Sequence, residues 1–396
     1  MRLGTANAYD SSLELLYKRQ TEMAGQQEQL SSQLRVNRAS DDPIAAAQAE
    51  RATVRLSRIE TDQRALETQR SALSSAEAGL GEAIGLIQTA RELVVSAGNA
   101  TQTPANRQSI ALQLTSLRDQ IFAIANRADS NGLPLFGGLG SANAPFADIP
   151  VGVQYQGAAG QRAATTTGLP SAMNGQAVWM DVPSGNRTFE VSLAAGNTGG
   201  VWTDPGTVLS PTLVTGDNYR IDYTVTAGVT TYDVVNTTTS ATVLSGQPYV
   251  DGDPIQFDGM SIISHGTPAN GDSVNVAPST TLNIFNMLDD TIGYIDKANG
   301  DNKLTQGLTL SLAQIDTGLE RLQAARGQAG DWLKRGDSIT DAQSARSLTL
   351  ESDRSRAVDV DMVKAISDFS KMQTGYQAAL QSYAQIQSLS LFNFIN

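Results

Sequence analysis

Proline divides this chain before any other feature does. Of its 13 prolines, ten lie between Pro145 and Pro278; the others are Pro43, Pro104 and Pro134. A proline inside a helix costs about 3 kcal/mol, because it removes a backbone donor and its ring clashes with the preceding turn. The outer stretches, roughly residues 1–144 and 279–396, are therefore free to form long helices broken at a few points, whereas the centre is not.

The outer stretches carry helical periodicity. Leu13, Leu16, Gln20, Met23, Gln27, Leu30 and Leu34 alternate steps of 3 and 4. A second register runs Leu56, Ile59, Gln63, Leu66, Arg70, Leu73, Glu77, Leu80, Ile84, Ile87, Arg91 and Val94. Its interspersed polar members suit a long, partly wet coiled-coil seam. Asp41-Asp42-Pro43 is a helix-start signal, and Gly98-Asn99 a stop, which predicts a helix over 43–98 of about 80 Å. Pro104 opens the next helix. Beyond the centre, Leu282, Phe285, Leu288, Ile292 and Ile295 start one helix, and Leu312, Ile315, Leu319 and Leu322 continue another after a polar break at 299–302.

The last stripe contains Phe369, Met372, Tyr376, Ala379, Tyr383 and Ile386, and the chain ends on Leu391, Phe392, Asn393, Phe394, Ile395 and Asn396. Chain ends are usually polar and frayed. Neither outermost stripe has a partner in its own arm, so the N-terminal helix is expected to pair with the C-terminal one. Long, thin stripes that reach the terminus also predict burial against other copies. The expected subunit contacts are Leu13, Leu16, Met23, Leu30 and Leu34, with Phe369, Met372, Tyr376, Leu380, Tyr383, Ile386, Leu391, Phe392 and Phe394.

The centre has a different chemistry. From 146 to 280 it holds three basic residues, Arg162, Arg187 and Arg220, against 11 acidic ones, a balance of −8 out of the whole chain's −12. Runs such as Val151–Gln156, Ala177–Val182, Thr188–Leu193, Tyr219–Thr226, Thr231–Val235, Ile255–Phe257, Met260–Ser264 and Val274–Ala277 alternate in hydropathy. Gly185-Asn186, Gly216-Asp217, Asp251-Gly252 and Asp258-Gly259 lie between them as turns. The expected fold is therefore α+β, with long antiparallel helical, coiled-coil arms from both termini and an inserted antiparallel β domain, a sandwich or open barrel. The expected domains are 1–40 with 355–396, 41–145 with 279–354, and 146–278.

Composition excludes several chemistries. There is no cysteine and one histidine, His265, so disulfide, thiolate and multi-histidine metal chemistry are absent. No cofactor is expected. A net charge of −12 argues against nucleic-acid binding. No run reaches 18 apolar residues, so no membrane span is expected, and the first residues carry no cleavable signal peptide. Gly137-Gly138-Leu139-Gly140 lacks the Lys-Ser/Thr of a phosphate loop, and Asp251, Asp253 and Asp258 read as turn residues rather than a calcium loop. Arg335-Gly336-Asp337 falls inside a predicted helix. Sequons at Asn99, Asn186 and Asn236 carry little weight. A glycosidase on the β domain would need paired carboxylates, and Glu190 is the centre's one glutamate.

Both arms carry motifs of one family. Arg38-Ala39-Ser40-Asp41-Asp42-Pro43-Ile44-Ala45-Ala46-Ala47 resembles the S-D-D-P-x-x-A segment of the hook–filament junction (third hook-associated) branch of the bacterial flagellin superfamily. Asn131–Gly138 is similar to its F-G-G loop, Gln373, Tyr376, Gln377, Ala378 and Ala379 to its Q-x-x-Y-Q-A-A helix, and Ser390–Asn396 to its ending. The resemblance covers about 260 residues of the arms.

What the resemblance implies is a non-enzymatic structural subunit of the bacterial flagellum. It would leave the cell by flagellar type III export, without a cleavable signal, and serve motility outside the cell as a homo-oligomer at the hook–filament junction. Its implied partners are copies of itself, the first hook-associated protein, flagellin, and a cytoplasmic export chaperone on the C-terminal region. The terminal helices would form an inner tube, and the β domain would face outward. The alternative within the superfamily is a flagellin, the bulk filament subunit.

Overall fold

A computed structural model describes residues 3–141, 143–297 and 302–392, with side chains outside the description for 3–9 and 386–392. The first arm is helical: α1 (Leu3–Ser32), α2 (Pro43–Ala97) and α3 (Pro104–Ala125). Helices α4 (Ile284–Asp296), α5 (Asn302–Val358) and α6 (Met362–Phe392) form the second. The start signals act as expected. Pro43 opens α2, and Thr103 caps α3 by accepting from the Asn106 N–H. The fold is α+β, with helical arms and antiparallel sheets between them.

Strands occupy the centre: β1 (Phe146–Ile149), β2 (Gly152–Tyr155), β3 (Val182–Pro183), β4 (Phe189–Leu193), β5 (Trp202–Thr203), β6 (Thr207–Val208) and β7 (Tyr219–Thr226). After them come β8 (Val229–Asn236), β9 (Ala241–Pro248), β10 (Pro254–Phe257), β11 (Met260–His265), β12 (Ser273–Pro278) and β13 (Thr281–Leu282). A five-stranded antiparallel sheet runs β4-β12-β7-β8-β9. It shares one core with a second sheet, β10-β11-β5, to whose β11 the short β6 also pairs. Tyr219, Ile221, Val234, Val274 and Val276 from the first sheet meet Ile255, Phe257, Met260 and Ile262 from the second, which makes the domain a sandwich. The turn at Asp258-Gly259 has both residues at positive φ (42° and 77°), the geometry of a tight hairpin.

One expected strand is not one. Residues 177–180 do not extend; Gln176–Met180 form a short π-helical turn instead, and the run reaches strand only at Val182, the start of β3. The cause is tertiary. Trp179 is fully buried, edge-on to Phe136 at 5.3 Å and stacked on Phe285 at 6.0 Å, and the turn inserts it among the helices. Strand β9 lies outside every expected run.

By compactness the chain forms two units, Met1–Arg64 with Thr340–Asn396, and Ala65–Ile339. The second unit holds the main core. Leu80, Ile87 and Val94 of α2, Leu114 and Ile121 of α3, Phe285 and Leu288 of α4, and Ile315 and Leu322 of α5 are all buried there. Three polar members of the α2 register have partners on α5. Arg70 donates to Asp337 (2.6 Å), Glu77 accepts from Arg326 (2.6 Å), and Arg91 donates to Asp316 (2.7 Å). The seam is therefore apolar inside and ion-paired along its rim, and Asp337 of the Arg-Gly-Asp tripeptide is one of those rim groups.

Candidate assembly interface

In the first unit, α1 packs along α6. The pairing explains the two outermost stripes. Leu13, Leu16, Met23 and Leu30 on α1, and Phe369, Met372, Tyr376 and Tyr383 on α6, are half-buried. Arg19 donates from Nη1 to the Gly375 carbonyl at 2.7 Å. Glycine makes that approach possible, because a Cβ at 375 would lie 2.8 Å from the same nitrogen. Of the described apolar residues on α1 and α6, Ala365 is buried and the rest are half-buried or exposed. Leu15, Tyr17, Val363, Ile366 and Leu380 remain exposed, Val363 at 83%.

The two breaks in the helical arms are clasped together. Between α1 and α2 the chain turns through Gln33 (φ +61°). Leu34 then bridges Asp359 in antiparallel fashion. The Arg35 N–H donates to Val358 O (2.7 Å), and the Val360 N–H donates to Gln33 O (3.0 Å). The Arg35 guanidinium donates to Ala357 O at 2.6 Å and reaches Asp42 Oδ2 at 3.3 Å. Val36, Ala45, Ala357 and Val358 close a small core beneath, with Leu34 packed against it.

The Asp41-Asp42-Pro43 motif has a structural role in that clasp. Asp41 Oδ2 accepts from the N–H groups of Asn37 (3.1 Å) and Arg38 (2.9 Å). Asp42 caps α2, its Oδ1 accepting from the Ala45 N–H at 3.0 Å. That backbone bond, aided by Arg35, holds the Asp42 carboxyl below the usual carboxylate range. Asp361 caps α6 in the same way, accepting from the Lys364 N–H at 3.1 Å.

Arg118 anchors the second unit. Its guanidinium is nearly buried, pairs with Asp289 at 3.1 Å and Asp148, and so ties α3 to α4 and β1. Burial works to lower its pKa, but the bonds to Asp148 and Asp289 outweigh it and raise the value. In the loop 131–138, Asp129 Oδ1 accepts from the N–H groups of Asn131 and Leu133, both at 2.8 Å, and Phe136 is buried against Trp179. Amides at the end of this loop are spent on neighbouring backbone: Gly138 N–H donates to Met173 O, and the adjoining Leu139 N–H to Ala158 O, both at 2.9 Å.

In the β domain, Asp258 accepts from the Tyr219 hydroxyl (2.7 Å) and Asp251 from the Gly266 N–H (3.0 Å). His265 stacks on Trp202 at 4.4 Å. Among the described residues, no three acidic or histidine side chains converge as a metal site, and no helix is long and apolar enough to cross a membrane.

The expected contact residues thus divide. Leu13, Leu16, Met23, Leu30, Phe369, Met372, Tyr376 and Tyr383 lie half-buried along α1 and α6, Leu34 lies beside the small clasp core, and Leu380 is exposed. Ile386, Leu391 and Phe392 lie on α6 with side chains outside the description, and Phe394 lies outside the described residues. Sequence reasoning missed Leu15, Tyr17, Val363 and Ile366. The available signal was their position off the 3–4 stripe, on a face the stripe does not account for.

Comparison with known proteins agrees with this architecture. The bacterial flagellin N-terminal helical region matches residues 4–141, and the bacterial flagellin C-terminal helical region matches 312–395. Together these span more than half of the chain, and the protein belongs to the bacterial flagellin superfamily. Within it, the chain is similar from end to end to flagellar hook-associated protein 3 of Salmonella typhimurium. The two are 27% identical over 404 aligned positions, covering 99% of each. The same protein of Escherichia coli is 26% identical, again over 99% of both chains. Among solved structures, hook-associated protein-3 of Legionella pneumophila superposes with a TM-score of 0.71 at 28% identity, covering 76% of this chain and 98% of that one.

Proposed function

We propose that this protein is a structural adaptor at the hook–filament junction of the bacterial flagellum, a non-enzymatic motility component. It assembles on the first hook-associated protein and provides the layer on which flagellin polymerises. One observation carries the reading: likeness to hook-associated protein 3 that runs the full length of both chains. The flagellin reading has less support. The Clostridium tyrobutyricum flagellin matches 90% of this chain at 25% identity, and the Bacillus subtilis flagellin 28% of it at 39%.

The geometry supports assembly through the termini. Residues 1–40 with 355–396 act as the inner coiled-coil layer, 41–145 with 279–354 as the long-helix layer, and 146–278 as the outward β domain. The stripes from Leu13 to Leu34 and from Phe369 to Phe394 supply subunit contacts, together with the uncovered Leu15, Tyr17, Val363 and Ile366. Burying such residues against neighbours is worth about 25 cal/mol per Å². The chain leaves the cell through the flagellar export channel, its C-terminal region held by a cytoplasmic chaperone until then.

Immunogold labelling of intact flagella tests this. Label in a short zone between hook and filament is expected, and label along the whole filament would make the protein a flagellin. A chain truncated before 370 is expected to leave hooks bare and flagellin monomers in the medium; normal filaments from that truncation would remove the terminal stripe from the assembly role.

A further inference from the structure

Arginine is used economically across most of this fold. Arg35, Arg70, Arg91, Arg118, Arg127 and Arg326 each hold a carboxylate on another element or segment. The N-terminal part of α2 breaks the habit. Arg51, Arg55 and Arg58 follow one another at steps of 4 and 3, which puts them on one helix face, and all three are exposed. None has an ion-pair partner among the described residues. Like charges one turn apart weaken a helix by a few tenths of a kcal/mol, so the single chain gains nothing from the arrangement.

Two of the three line a groove of about 470 Å³ between α2 and α5. Its floor is small and apolar: Ala52, Leu350 and Ala357 are all buried. Its rim is cationic, with Arg51, Arg55 and Arg356, and the one rim acid, Asp353, is already taken by Arg356 at 2.5 Å. A shallow apolar floor between two free guanidiniums one turn apart fits a helix that presents two carboxylates one turn apart.

This chain carries such a helix. On α1, Asp10 and Glu14 are exposed, four residues apart, and without an ion pair among the described residues. Spacings of about 6 Å match on the two sides, and charge-assisted guanidinium–carboxylate bonds are about twice as strong as neutral ones. Among the described residues no ion pair joins the two faces within one chain. The unit that holds both is close to neutral, with 14 basic and 15 acidic residues, so two copies can approach there without net repulsion.

We propose that the Arg51–Arg55 groove docks the Asp10–Glu14 face of α1 from a second copy of this chain. The contact rests on the junction-subunit reading and deepens it by naming the pair of faces that meet. Complementary charge of this kind sets register and rejects wrong neighbours more than it adds affinity.

Charge reversal and swapping test it in cells that assemble flagella. The Arg51→Glu/Arg55→Glu chain is expected to lose incorporation at the junction by about tenfold or more. Adding Asp10→Arg/Glu14→Arg to the same chain is expected to restore it, an outcome that misfolding does not produce. The melting temperature of each purified chain checks that the variants fold. Full incorporation of the reversed chain overturns the contact. Loss without rescue also overturns it, and assigns the groove to an acidic surface on a different protein. A wild-type chain missing from the junction overturns the functional reading itself, and the contact with it.

Discussion

Phe285 and Tyr376 are both aromatic residues on amphipathic helices, yet their surroundings differ completely. Phe285 is fully buried, with Phe122 at 5.6 Å, Phe146 at 5.9 Å and Trp179 at 6.0 Å around it. Tyr376 is half-buried along α6. The contrast holds for the whole units. The unit Ala65–Ile339 seals a large core and carries 14 basic against 25 acidic residues. The other unit is near neutral, and among its described residues a small buried apolar cluster consists of Val36, Ala45, Ala357 and Val358. One unit satisfies itself and is strongly acidic, as a water-facing body should be. The other leaves apolar and charged faces half-used, which is what a surface made for neighbours looks like.

The sharpest way to break that contrast is a matched pair of truncations. Phe285→Ala is expected to cost about 3–5 kcal/mol, because it opens a cavity among rings that cannot collapse into it. Tyr376→Ala is expected to cost less than about 1 kcal/mol in the isolated chain, because water already reaches the site. Calorimetry of both variants decides; similar losses would mean the terminal pair is as well packed as the core. The Tyr376→Ala chain should nevertheless assemble poorly.

Arg118→Ala comes next. It leaves Asp148 and Asp289 without their shared cation. Removing one partner of a fully buried pair costs about 3–5 kcal/mol. Both carboxylates here keep contact with water, at 41% and 44% exposure, so about 2–3 kcal/mol is expected. Denaturant unfolding should show the loss, and Arg118→Lys should recover only part of it, because an ammonium lacks the fork that spans two acids.

Alkaline pH probes the β sandwich. Burial raises the phenol pKa values of Tyr223, Tyr219, Tyr249 and Tyr232, with Asp258 adding to the effect at Tyr219. A folded pKa above the unfolded value of about 10 means the folded state holds its proton longer. The stabilisation is complete below about pH 10 and is lost as pH rises through the folded values. Sheet circular dichroism should therefore fall together with phenolate absorbance. Phenolate formed at Tyr223 near pH 10, read at that residue, with the sheet intact would contradict it.

Much of this architecture is legible in proline and helix punctuation alone. Helix α2 is expected over 43–98 and found over Pro43–Ala97, because Asp42-Pro43 and Gly98 act within a few residues of backbone. What sequence hides is whatever depends on distant partners. Trp179 forces a π-helical turn where alternation reads as a strand. Strand β9 is largely exposed, with Ser245, Gly246 and Gln247 in its run, and its pairing to β8 is what makes it extend. At the candidate interface the stripes are readable, but the uncovered face beside them is not, because only the packed α1–α6 pair reveals which side is left over. The clasp is invisible for the same reason. Arg35 and the Ala357 carbonyl lie 322 residues apart.

That clasp offers the mildest test of the contrast. Asp42 has a lowered pKa, from the Ala45 backbone bond and then Arg35. A depressed carboxylate contributes stability above its unfolded pKa of about 4, and that contribution is lost as pH falls through the folded value. Below about pH 4, Asp42 should therefore release both the α2 cap and its pairing with Arg35, while the aromatic core around Phe285, which Asp42 does not touch, should not open with it. Hydrogen exchange read at single residues checks this. The Ala45 amide is expected to lose protection first on acidification, ahead of the Leu114 and Ile121 amides, and Asp42→Asn should show the same exposure at neutral pH. Equal loss at all three amides would mean the clasp and the core open as one body, and the two units would no longer be separable by stability.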